Sequence, residues 1–153
     1  MGKNSVKYLA AAVLSVTLAT PVIGVCETLS GAYLAARQAD LASDYTASEQ
    51  YYGRALLRDP NNPSLLESQI MAHMSLGLFA PAMPLAQRLD AQGVDSQLLN
   101  MMLIAGAAQE GAYGRILDRI EQGKGIGSLI DSLLSAWATT GQGQMSTALT
   151  AFD

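Results

Sequence analysis

The chain contains one histidine, His73, the side chain best suited to moving a proton near neutral pH. A general base needs a reacting group beside it, and a metal ligand needs further donors. The single cysteine, Cys26, belongs to an N-terminal stretch with the pattern of an export leader, so no second donor completes a metal site. A packed or half-exposed imidazole in mid-helix is therefore the expectation. The carboxylates offer two close pairs, Asp40 with Asp44 and Asp118 with Glu121, four and three residues apart and so on shared helix faces. Arg37, Arg115 and Arg119 flank them, and solvated ion pairs account for both. The run Gly123-Lys124-Gly125-Ile126-Gly127-Ser128 lacks the GxxxxGK[ST] spacing and the preceding strand that a phosphate loop requires. It reads as a linker. No Ser–His–Asp or Cys–His arrangement is supported, so the expectation is a protein without catalysis, cofactor or metal.

The elements that would carry these residues repeat. Ser43-Asp44-Tyr45, Gly77-Leu78-Phe79 and Gly111-Ala112-Tyr113 each set a small residue, a spacer and an aromatic ring 34 residues apart. A fixed period of this size marks a solenoid, in which stacked neighbours bury what one repeat cannot. After the first of these, Ser48, Tyr52 and Ala55 fall at i, i+4 and i+7 and so share one helix face. The stripe returns as Ala82, Ala86 and Leu89, and more weakly as Ile116, Ile120 and Gly123. Helices are expected over about 29–44 and 47–58, with Pro60 ending the second and Pro63 opening the third. Pro81 and Pro84 are placed in the first turn of the fourth. No segment alternates as a strand would.

The string Tyr51-Tyr52-Gly53-Arg54-Ala55-Leu56-Leu57-Arg58-Asp59-Pro60-Asn61-Asn62-Pro63 resembles the end of a tetratricopeptide repeat. The resemblance covers roughly residues 29–153. It departs at Ser43, where glycine is usual, at Gly93-Val94-Asp95 in place of Asp-Pro, and in lacking an early Trp in the first three repeats. It implies an all-α, right-handed α-α superhelix of about three helix–turn–helix repeats, near 29–62, 63–96 and 97–128, plus a partial fourth over 129–153. In that fourth unit Gly143, Met145, Ala148 and Phe152 echo the earlier pattern, 32 rather than 34 residues after Gly111. The chain stops at Asp153 with an apolar rather than capped end, so a truncated frame or the front of a longer solenoid is expected.

In this family the first helices of successive repeats line a concave groove that holds a protein or peptide. Transferring those positions gives Tyr33, Arg37, Asp40 and Leu41, then Glu67, Met71 and Met74, then Leu98, Met101, Met102 and Gln109. Thioethers suit apolar partners of varying shape. The same methionines at this spacing are equally read as core. Apart from Arg37, the Lys, Asn and Arg that clamp a partner's terminal carboxylate in some family members are missing.

Residues 1–26 carry Lys3 and Lys7, an apolar run from Tyr8 to Ala19, then Pro21 and Gly24. That order describes a secretory leader, and the run is shorter than the roughly 20 apolar residues of a membrane span. Cleavage after Gly24 and after Cys26 both fit; lipidation at Cys26 would need Gly or Ala where Val25 stands. From Glu27 on, seven basic residues face thirteen acidic ones, a net charge of −6. Nucleic acid and anionic membrane surfaces are poor partners for such a chain. The expectation is an exported, periplasmic, non-catalytic interaction module of the bacterial envelope. The alternatives are the repeat-bearing front of a larger protein, enzymatic or not, and an assembly factor tethered by an uncleaved or lipidated N-terminus.

Overall fold

The computed structural model describes residues 28–146. The expected leader and the echo at Ala148 and Phe152 lie outside them. The described residues form seven α-helices and no strand. They are α1 (Leu29–Leu41), α2 (Tyr45–Arg58), α3 (Pro63–Ser75), α4 (Phe79–Ala91), α5 (Gln97–Gln109), α6 (Tyr113–Glu121) and α7 (Ser128–Gly141). Each packs on the next, and α3 also meets α5, so the array is an all-α superhelix of helix pairs. None of the described helices is long and apolar enough to cross a membrane.

The period is visible in the helix starts. The helices α1, α3 and α5 begin at Leu29, Pro63 and Gln97, 34 residues apart each time; α2, α4 and α6 begin at Tyr45, Phe79 and Tyr113, again 34 apart. Their caps keep the same step. The side chains of Thr28, Asn62 and Ser96 accept from the backbone N–H of Gly31, Leu65 and Leu99 at 3.1, 3.2 and 3.3 Å. Each satisfies a donor that a helix start leaves open. The expected start of α2 near residue 47 moves back to Tyr45, because Asp44 caps it by accepting from Ala47 N–H.

The turn inside each repeat is built the same way. Asp44 N–H returns to Ala39 C=O and Ser43 N–H to Asp40 C=O, the two bonds of a Schellman motif. The pair recurs as Leu78 to His73 with Gly77 to Met74, as Ala112 to Ala107 with Gly111 to Ala108, and as Gln144 to Thr139 with Gly143 to Thr140. The motif needs a left-handed residue. Gly77, Gly111 and Gly143 supply it at φ 71, 66 and 80°, whereas Ser43 takes φ 57° with a side chain attached.

The expected stripe is the inner face of the second helices. Ser48, Tyr52, Ala55, Ala82, Ala86, Leu89 and Ile116 are fully buried; Ile120 is half-buried and Gly123 is an exposed turn residue. Three apolar clusters follow in chain order: Ala32, Ala36, Tyr52, Ala55 and Leu65; then Leu66, Ile70, Ala82, Ala86, Leu89, Leu99 and Met102; then Ile104, Ala107, Ile116 and Ala138. Pro84 is a correction. It stands inside α4 rather than in its first turn, so α4 lacks the bond that residue 84 would donate to Ala80 C=O. The buried stripe on either side of it holds the helix together.

Candidate functional site

A cleft of about 460 Å³ opens where α1, the start of α2, α3 and the start of α5 converge. Arg37 and Asp40 line it from α1, Tyr45 from α2, Ser64, Glu67, Ser68 and Met71 from α3, and Leu98 from α5. Five of the positions expected in a groove, Arg37, Asp40, Glu67, Met71 and Leu98, therefore meet in one concavity.

The others go elsewhere. Tyr33 is exposed and borders a neighbouring hollow of about 310 Å³ with Leu29, Asn62 and Leu65. Its ring meets that of Tyr52 edge-on at 6.4 Å. Met74 is half-buried against the central cluster, and Met102 is a fully buried member of it, so neither reaches the cleft. Met101 and Gln109 are exposed on α5, and Leu41 is exposed at the end of α1, all outside the cleft lining. Tyr45, Ser64 and Ser68 were not expected. Ser64 had a signal, since it lies one 34-residue period before Leu98.

Asp40 is the polar anchor of the cleft wall. The Ser48 hydroxyl donates to its Oδ1, and the Tyr52 hydroxyl donates to its Oδ2 at 2.6 Å. Arg37 Nη1 approaches Oδ2 at 3.8 Å. Burial pushes the Tyr52 phenol above its ordinary pKa, and the bond to Asp40 pushes it the same way. The hydrogen bond with Tyr52 holds the Arg37 guanidinium above its ordinary value. Both carboxylate oxygens and the guanidinium are thus engaged inside the first repeat. Glu67, half-buried, has no hydrogen-bond or ion-pair partner among the described residues.

The candidate chemistry elsewhere stays apart from the cleft. His73 is buried in α3, with Nε2 3.2 Å from Gln69 Nε2, which in turn donates to Glu49 at 3.3 Å. His73 Nδ1 and Gln69 Oε1 are buried without a hydrogen-bond partner. Asp44 caps α2 instead of sharing a face with Asp40. Arg115 pairs with Glu110, and Arg119 bonds Asn100 of its own repeat at 2.7 Å and reaches back one repeat to Asp90 at 3.3 Å, so neither neutralises Asp118 or Glu121 as expected. Lys124 joins Asp90 at 3.7 Å. Among the described residues no group of three His, Cys, Asp or Glu side chains could hold a metal.

No protein-family model, curated protein or solved structure matches the chain.

Proposed function

We propose that this chain is a non-catalytic interaction module of tetratricopeptide type, exported to the bacterial envelope, that takes a segment of a partner polypeptide in the α1–α3–α5 cleft. One observation carries the reading. The first helices of three successive helix pairs contribute to a single concavity, and two pairs of its lining residues, Arg37 with Met71 and Ser64 with Leu98, are related by the same 34-residue step that spaces the helices. A concave surface shared between stacked repeats is where solenoids bind extended partners. The leader-like residues 1–26 support export.

Photocrosslinking tests the site. A benzoylphenylalanine at Met71, inside the cleft, is expected to capture a discrete envelope protein that the same group at exposed Leu57, outside it, does not. Equal adducts from both positions, or none from either, would overturn the reading. The mass of the mature N-terminus separates a free module, beginning at Val25 or Glu27, from one held by an uncleaved leader or a lipid on Cys26.

A further inference from the structure

The cleft contains three charges, and two of them cancel. Arg37 and Asp40 face each other within the first repeat, and Asp40 spends its oxygens on Ser48 and Tyr52 as well. Glu67 is left. Its position one period earlier is Tyr33 and one period later Met101, so neither adjoining repeat places a cation there. Glu67 is a partly buried residue, and none of the described residues neutralises its carboxylate. Beside it the wall is apolar, formed by Met71, which is 51% exposed, and by partly buried Leu98. The hydroxyls of Ser64 and Ser68 line the cleft near Glu67, on the same stretch of α3.

We infer that the occupant of this cleft is a peptide segment carrying a Lys or Arg side chain next to an apolar one. The cation pairs with Glu67, and the apolar neighbour lies on Met71 and Leu98. This rests on the reading of the cleft as a polypeptide site and adds the chemistry that the segment must have. Charge complementarity supports it at two ranges. At contact, the partner's cation meets a carboxylate that no described residue pairs with. At a distance, the net charge of −6 after the leader draws basic segments and repels acidic ones, within a Debye length of about 10 Å at 0.1 M salt. A partner's terminal carboxylate is the wrong complement, because the arginine that could receive it already faces Asp40.

Fluorescence anisotropy of the purified protein with labelled, N-acetylated and C-amidated nonapeptides tests this. Each peptide is a Gly/Ser chain with a central leucine, flanked on either side by lysine, norleucine or glutamate. The lysine peptide is expected to bind about five- to tenfold more tightly than the norleucine peptide, and the glutamate peptide most weakly. Glu67→Gln, nearly isosteric, is expected to erase the lysine preference while leaving the norleucine affinity in place. Glu67→Lys reverses it toward glutamate. Raising the salt from about 0.05 to 0.5 M narrows the lysine preference in the wild type only. Equal binding of lysine and norleucine peptides, or a lysine preference that survives Glu67→Gln, overturns the inference while peptide binding itself stands. No binding by any of the peptides overturns the polypeptide reading of the cleft, and the inference with it.

Discussion

At the scale of single residues, the structure spends chemistry on holding the first repeat together. Ser43 occupies a left-handed position that the next three repeats give to glycine. The Cβ there costs roughly 1 kcal/mol, partly offset because glycine has more freedom to lose on folding. Ser43→Gly should therefore raise the unfolding free energy by about 0.5 kcal/mol, and Gly77→Ala or Gly111→Ala should lower it by about 1 kcal/mol. Urea titration of the three variants checks the signs. The Asp40–Tyr52 bond makes a second prediction. Because the folded state holds the Tyr52 proton more tightly than the unfolded state, the resulting stabilisation is complete below the ordinary tyrosine pKa of about 10. It is lost as pH rises through the raised folded-state value. Tyr52→Phe removes the donor and leaves Asp40 with less of its hydrogen bonding, at a cost of about 1–3 kcal/mol at neutral pH. That variant has no such proton to lose, so its deficit relative to wild type should stay constant to about pH 10 and shrink above it. Parallel denaturation curves at pH 7 and pH 11 with an unchanged gap would count against this account.

At the scale of elements, α4 carries the plainest test of what holds a helix here. Pro84 breaks the local rule, since a proline beyond the first turn removes a backbone bond and crowds the preceding turn. Ala82, Ala86 and Leu89 are nevertheless fully buried on both sides of it. Their packing outweighs the missing bond. Pro84 itself is exposed, so Pro84→Ala should restore the donor to Ala80 without opening a cavity. It should add about 1 kcal/mol, the helix gain being reduced by the extra freedom of the unfolded chain. Differential scanning calorimetry should show the higher midpoint. This residue also marks where the sequence stopped being legible. The helix pairs could be read from their 34-residue step, from the glycine turns at Gly77 and Gly111, and in the first repeat from the Asp59-Pro60 stop and Pro63 start. A proline tolerated by tertiary burial leaves no local trace. The cleft was half legible for a related reason. Arg37 and Met71 lie one 34-residue period apart, so the repeat carried one position to the next. The stretch Leu98-Leu99-Asn100-Met101-Met102-Leu103-Ile104 of α5 is apolar on almost every side, so its pattern has no phase. Met102 and Met101 read alike, yet one is fully buried and the other 42% exposed. Tyr45, Ser64 and Ser68 escaped notice because a lining shared between helix starts and a neighbouring helix's middle follows from how the pairs stack, not from any one helix's periodicity.

At the scale of the whole molecule, stability must vary along the array, because each helix touches little beyond its neighbours. The central cluster holds the large buried side chains Leu66, Ile70, Leu89, Leu99 and Met102 and draws on α3, α4 and α5. The first cluster is made mainly of alanines around Tyr52, and α7 buries only Ala136 and Ala138 while Leu129, Leu133 and Trp137 stay exposed. A buried leucine or isoleucine contributes about 1.5–3 kcal/mol from transfer alone, and an alanine far less. Opening should therefore begin at the α7 end and reach α3–α5 last. Native-state hydrogen exchange should rank the amides in that order, with α7 the least protected of the helices. Two cavity variants distinguish this graded picture from a single cooperative core. Leu66→Ala removes a side chain from the centre and should lower protection in α3, α4 and α5 by about 2–5 kcal/mol, while α7, which opens without them, keeps its own. Ile116→Ala removes one from the third cluster, where α5, α6 and α7 meet. It should lower protection in α6 and α7 by a similar amount while α1 to α3 keep theirs, since the units that stabilise those helices are intact. Equal losses across all seven helices from Ile116→Ala would show the array to unfold as one body. The graded outcome bears on binding as well. The cleft is built from α1, α2, α3 and the start of α5, with nothing from α6 or α7, so the grip on a segment held there should survive loosening of α7.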